Sequence, residues 1–221
     1  MGESIEFLKD KDRKEIKEIF DKNLTGNVNI MLFTDAKDKC QYCSETLELL
    51  TEVSKLSDKI KLTTYDVNVN KKEAAFLGVD KTPAIVIGGA KIYNIFYFGI
   101  PAGHEFSALL DDIIDASNNK TRLTDSTRSA LNSIKSKLEI KVFVTPTCPW
   151  CPRAVRMAHQ FAMENSNIRS SMIESMEFPE LAEKYGVMAV PKIVINDSVS
   201  FEGALPEPQF LEYVMEAAKE A

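Results

Sequence analysis

The stretch VTPTCPWCPRAV, residues 144–155, sets Cys148 and Cys151 three positions apart among three prolines. The other two cysteines, Cys40 and Cys43, repeat the spacing in KDKCQYCSETL, residues 37–47. Such a pair reads as half a metal site, a crosslink or a redox centre. Residues three apart at the start of a helix have Cβ atoms roughly 5–6 Å apart, close to the 3.5–4.5 Å that a disulfide prefers. A small flexing of the first turn therefore opens or closes the bond. The free N–H groups and positive dipole end of that turn also favour a thiolate at the first cysteine, which we expect at the cap position.

Outward from these motifs, the chain repeats. Cys40 and Cys148, Gly78 and Gly186, and Pro83 and Pro191 all stand 108 positions apart. Each proline follows its first cysteine by 43 residues. Asp66 and Glu174 share the offset, which drifts to 104 where GIPAGHEF (99–106) faces GALPEPQF (203–210). A period near 100 residues marks a duplicated domain rather than a solenoid. We place unit 1 at 1–118, with the CQYC site, and unit 2 at 119–221, with the CPWC site. The polar segment NNKTRLTD (118–125) lies at the boundary.

Hydrophobic periodicity predicts one order in both copies, αβαβαββα. The first helices fall near 13–22 and 126–136. Apolar strands VNIMLFT and EIKVFVT follow, then a helix opened by each cysteine pair. Mixed strands IKLTTYDV and NIRSSMIES and short helices come next. The proline-led strands TPAIVIGG and VPKIVIND precede KIYNIFYFG and SVSFEG, and a helix ends each copy. The fold class is α/β: two tandem units, each a mixed central sheet with helices on both faces.

Proline stands at the first residue of a strand rather than inside it. Its duplicate placement after each cysteine pair leads us to expect cis bonds at Thr82-Pro83 and Val190-Pro191, with backbone facing the sulfurs and open to pairing with an extended peptide. Trp150 and Tyr42 form an apolar rim. The pairs between the cysteines, Pro149-Trp150 and Gln41-Tyr42, tune the potential. Arg153 and Arg156 follow Cys148, whereas Cys40 has Lys37 and Lys39 before it and Glu45 after it. Cys148 is therefore expected to be the more acidic thiol. Pro152 removes an N–H from the first turn, so that helix is expected to start loosely or bend.

The TPTCPWC segment, its following helix, the GV…VP loop and the closing hairpin together resemble the thioredoxin/glutaredoxin superfamily. Two such units in one chain look like the protein disulfide oxidoreductases of archaea and thermophilic bacteria. The resemblance implies thiol-disulfide exchange on protein substrates. Cys148 and Cys40 would be nucleophiles, Cys151 and Cys43 resolving thiols, and Pro191 and Pro83 the cis-prolines, with Val190 and Thr82 before them. No bound cofactor or metal is implied; electrons would come from a flavin-containing, NADPH-linked thioredoxin reductase. One departure stands out. Many thioredoxins bury an aspartate six residues before the first cysteine, where this chain has Thr34 and Val142. The proton acceptor is left without a candidate, and neither Asp66 nor Glu174 can be set beside a cysteine from the sequence.

Three rivals stay open: a four-thiolate zinc protein, a redox-silent scaffold or chaperone, and a subunit reducing a peroxidase. The first would have to bring together pairs separated by 104 residues. His104 and His159 read as structural, and Met188 as filler. Asp111, Asp112 and Asp115 read as an acidic helix face. A net charge of −6 over 221 residues argues against nucleic acid, and the lysine-rich start is interleaved with acids. No apolar leader and no run of 18 apolar residues occur, and C-x-x-C pairs suit a reducing compartment, so the expected location is cytoplasmic. In Cys43→Ser and Cys151→Ser variants, the remaining Cys148 should be alkylated by iodoacetamide faster than Cys40 at neutral pH; the reverse order would contradict the charge reading.

Overall fold

The computed structural model describes residues 7–37 and 40–221. Residues 1–6, read above for a leader, and Lys39 lie outside the described residues. Unit 1 runs α1 (Asp10–Asn23), β1 (Val28–Thr34), α2 (Cys43–Ser54), β2 (Ile60–Asp66), α3 (Lys71–Leu77), β3 (Ala84–Gly88), β4 (Ile92–Phe98) and α4 (Glu105–Asn118). Unit 2 repeats it as α5 (Asp125–Ser133), β5 (Leu138–Val144), α6 (Cys151–Glu164), β6 (Ile168–Glu174), α7 (Pro179–Lys184), β7 (Lys192–Ile195), β8 (Val199–Glu202) and α8 (Glu207–Glu220). The predicted element order holds in both copies. The helix expected at 126–136 stops at Ser133, where Ile134 turns to extended backbone and buries its side chain.

The two units do not keep separate sheets. All eight strands form one, in the order β2-β1-β3-β4-β6-β5-β7-β8. The join is a parallel ladder between β4 and β6, running from Ile95 opposite Ser170 to Phe98 opposite Ile173. An open strand edge exposes a row of unpaired N–H and C=O groups. Each unit covers the other's edge here, and both strands are largely buried.

Side-chain alternation assigns the two faces. Ile30 and Leu32 of β1 join the larger core under α1, α2, α4, α5, α6 and α8. Met31 and Phe33 enter the smaller core under α3 and α7. Helix α6 lies at the centre of the larger face: ten of its 14 residues are buried, against four of the 12 in α2. Small residues Ala154 and Ala158 permit close packing, and Phe161 meets Phe210 of α8 edge-to-face at 5.3 Å.

The pairing directions decide where the cysteines lie. Strands β1, β4, β6 and β5 all run the same way. The C-terminal ends of β1 and β5, which lead to the two C-x-x-C motifs, therefore open on one edge of the sheet. Four strand spacings separate them, about 19 Å. Phe161→Ala should destabilise the chain by about 3–5 kcal/mol, read as a lowered urea midpoint.

Candidate active site

The C-x-x-C of unit 2 crosses from loop to helix. α6 begins at Cys151 with Trp150 as its cap residue, so Cys148 stands just before the helix rather than at the cap. Pro152 is thereby placed in the first turn, where no N–H is needed, and it neither loosens nor breaks the helix. The Cys151 N–H donates to Cys148 Sγ at 3.2 Å. On the other side, the Cys148 thiol donates to the Val190 carbonyl at 3.7 Å. The Val190-Pro191 and Thr82-Pro83 bonds are both cis. Register explains the approach: Phe143, near the end of β5, pairs with Lys192, and Phe33 of β1 pairs with Ala84. Each proline thus enters the sheet next to the strand that leads to its cysteines.

The two sites differ in cover. Cys148 and Cys151 are free thiols and buried, Cys151 completely. Cys40 and Cys43 form a disulfide, with Cα atoms 5.5 Å apart, and are half-buried. The central position of α6 accounts for the contrast. Trp150 is 63% exposed beside the unit 2 site, together with Met188, whose side chain is 91% exposed in the loop before Pro191. Tyr42, the corresponding residue of unit 1, is exposed to a smaller degree. Of the core and rim positions open to Met188 as a filler, its exposure excludes the core.

One charge expected near a sulfur goes elsewhere. Arg156 does not stand free to favour a Cys148 anion. It is buried and ion-paired with Asp112 and Asp115 of α4. The expected acidic face of α4 is correspondingly not a solvated surface: Asp112 and Asp115 point into the protein, and Arg122 at the rim pairs with the more exposed Asp111 at 2.9 Å and reaches Asp115 at 3.7 Å. Of the two readings open to His159, a satisfied or a solvent-facing side chain, the first holds: it is buried and bonded. Burial and the Arg156 charge lower its pKa to about 3, so the ring is neutral and its Nδ1–H donates to Asp112 Oδ2 at 2.6 Å. Asp66 accepts the Ala36 N–H at 3.2 Å and thereby tethers the loop toward Cys40. Glu174 is buried at the end of β6 and accepts the Glu177 N–H at 2.7 Å.

A carboxyl without a role in the sequence reading lies buried at the start of α4, the helix packed against α6. Glu105, the first residue of α4, is 1% exposed, and neither of its oxygens has a hydrogen-bonding partner among the described residues. Burial raises its pKa to about 8. Burial also pushes the Cys151 thiol well above its ordinary range, helped by the hydrogen bond to Cys148 and by the charges of Cys148 and Glu105. The acid therefore comes from unit 1 while the thiols belong to unit 2. In sequence it is one glutamate at a helix start, where dipole complementarity suffices to explain it.

The four sulfurs do not converge. Zinc holds thiolates at about 2.3 Å, whereas the pairs sit at strand ends four spacings apart.

Comparison with known proteins agrees with this geometry. The thioredoxin domain family model matches residues 138–216. A protein disulfide oxidoreductase from Aeropyrum pernix K1 superposes with a TM-score of 0.91 at 33% identity, over 98% of this chain and 96% of that one. The N-terminal domain of the alkylhydroperoxide reductase AhpF from Enterococcus faecalis superposes with a TM-score of 0.85 at 27% identity, over 93% and 98%. The corresponding alkyl hydroperoxide reductase component of Staphylococcus aureus is 26% identical over 185 residues, 83% of this chain. The chain spans about a third of the length of the curated relatives it matches, 33% in the Staphylococcus aureus case. With two C-x-x-C motifs on one continuous sheet and a near full-length match to the archaeal structure, the chain belongs to the protein disulfide oxidoreductases of tandem thioredoxin fold.

Proposed function

We propose that the chain exchanges disulfides with protein substrates, with Cys148 as the principal nucleophile and Cys151 as its resolving thiol. The observation that carries this reading is the setting of Cys148 between the Cys151 N–H and the Val190 carbonyl. One neighbour favours the anion, and the other marks where an extended client backbone pairs beside the sulfur. In reduction, the Cys148 thiolate attacks a client disulfide. A Cys148–client bond forms, the client S–S bond breaks, and the departing client sulfur takes up a proton. Cys151 then attacks Cys148 Sγ, releasing the second client thiolate and leaving the Cys148–Cys151 disulfide. Two electrons pass from the dithiol to the client. The reverse sequence oxidises a client dithiol, and the relative potentials of the partners set the direction.

Cys151 must lose its proton to attack, and burial holds that proton tightly. We assign the exchange to Glu105. The carboxyl titrates near 8, and its ionised fraction near neutral pH is the form that takes the proton from Cys151. Cys40 and Cys43 take the same nucleophile and resolving roles at the more open unit 1 site. Pro191, Val190, Pro83, Thr82, Trp150 and Tyr42 line the client positions. The units divide as 1–118 and 119–221.

The dithiols themselves are the redox groups, and an external reductase must recharge them. An NADPH-linked flavoprotein of thioredoxin-reductase type suits that role. The match to one third of a peroxide reductase component supports a partner of that kind. No helix among the described residues is long and apolar enough to cross a membrane. Thiol pairs that must cycle suit the reducing cytoplasm.

Dithiothreitol-driven reduction of insulin tests the assignment. Cys148→Ser should abolish most of the turnover, while the Cys40→Ser/Cys43→Ser variant retains a measurable share. Unchanged turnover in Cys148→Ser would end the reading. Glu105 supplies a separate check through stability. Its folded pKa lies above its unfolded value, so the folded state holds the extra proton between about 4.5 and 8, and stability falls as pH rises through that window. Glu105→Gln should match the parent near pH 4.5. It should exceed it by roughly 2–4 kcal/mol at pH 9, measured by denaturant unfolding.

A further inference from the structure

We propose that Arg156 is a positioning residue: by clamping Asp112 and Asp115, it fixes the height of Glu105 against Cys151, so that unit 1 governs the dithiol of unit 2. The inference rests on the disulfide-exchange reading above and concerns which residues set that site.

Helices α4 and α6 lie side by side and parallel. Ser107, in the first turn of α4, lines one cavity with Pro152 and Arg153 in the first turn of α6, and the first residues of the two helices, Glu105 and Cys151, are both buried. Seven residues along α4 and five to eight along α6, Asp112 meets Arg156 and His159. At 1.5 Å per residue, Asp112 lies about 10.5 Å below Glu105, and His159 about 12 Å below Cys151. The helices are therefore in register, and their relative height is the variable that matters to the site.

Asp112 is completely buried and held by three side chains from two elements, β4 and α6. The Tyr97 hydroxyl of β4 and His159 Nδ1 both donate to Oδ2, and Arg156 pairs with Oδ1. Arg156 also pairs with Asp115 one turn below. A slide of one residue would break every one of these bonds and strand buried charges, which costs several kcal/mol. Apolar contacts alone, such as those of Ala108, Ala154 and Ala158, specify height only loosely. The upper end is held separately by the His104 N–H, which donates to the Pro146 carbonyl at 3.0 Å. Gly103, at φ +59°, makes that approach possible, since a Cβ there would come within 2.3 Å of the same oxygen.

The groups facing the couple are few. Glu105 acts on Cys151 of α6 and Tyr97 of β4, and Cys151 also faces Cys148. Arg156 meets Asp111, Asp112 and Asp115, and Arg122 reaches Asp111 and Asp115 from the linker. Arg156 thus touches neither sulfur nor the Glu105 carboxyl, and its effect runs through α4.

The test is a cycle in the full chain: Glu105→Gln, Arg156→Met, the double variant and Arg156→Lys. Each is equilibrated across pH with dithiothreitol redox buffers, and the oxidised fraction of each cysteine pair is read by thiol trapping and mass spectrometry. Unfolding midpoints are taken in parallel. Arg156→Met should change the oxidised-to-reduced ratio of Cys148–Cys151 by roughly three- to tenfold, with the altered pH profile of Glu105→Gln. The double variant should go no further than Glu105→Gln alone, Arg156→Lys should restore part of the profile, and Cys40–Cys43 should not move. Additive shifts in the double variant, or a lowered midpoint with an unchanged profile, would overturn the proposal. Should Arg156→Met fail to fold, Asp115→Asn removes one of the two clamps and is read the same way. If neither pair of the parent protein equilibrates with dithiothreitol, it is the exchange reading itself that falls.

Discussion

A short parallel ladder makes two units one molecule. Four residue couples between β4 and β6, from Ile95–Ser170 to Phe98–Ile173, carry the sheet across the junction. Everything distinctive about the unit 2 site follows from that pairing. It sets α4, the last helix of unit 1, beside α6, the redox helix of unit 2. It buries most of α6 and places a buried unit 1 glutamate at the head of the neighbouring helix. Without the ladder each unit would keep its cysteines and its proline, but the unit 2 dithiol would lose its neighbouring acid.

Burial then acts on charge in two different ways along the α4–α6 contact. Asp112, Asp115 and Arg156 are compensated, each by partners placed within bonding reach. Glu105 is not compensated, and its proton affinity rises accordingly. A buried ion pair contributes little net stability because desolvation offsets attraction, but its geometry is unforgiving. An uncompensated acid costs stability and provides a proton that moves near neutral pH. The same helix carries both, about two turns apart: the first kind fixes position and the second serves chemistry.

Much of this was legible in the chain. VNIMLFT is β1 without a residue of error, and both cis-prolines stand where the 43-residue spacing put them. The cysteine pairs open helices as expected, although α6 starts at the second cysteine and not the first. Such local features depend on neighbours in sequence, so periodicity and spacing report them. The β4–β6 ladder does not: β6 reads IRSSMIE, and its buried serines look like the outer face of a strand. Glu105 carries no signal in the sequence, and Arg156 reads there as a charge beside Cys148, for a related reason. A helix-start acid and a helical arginine are commonly solvent-facing, and only the packing of one unit against the other turns both inward.

The shared sheet edge also defines a length. Two dithiols open along it with about 19 Å between their strand ends, a gap that a stretched polypeptide crosses in roughly six residues. On the disulfide-exchange proposal, client cysteines closer together than that would engage one pair at a time. Those spaced wider would meet both without the client letting go, and the second capture would then draw on an effective concentration rather than on diffusion. The fused sheet would thereby turn two reactive centres into a ruler for the loops they handle.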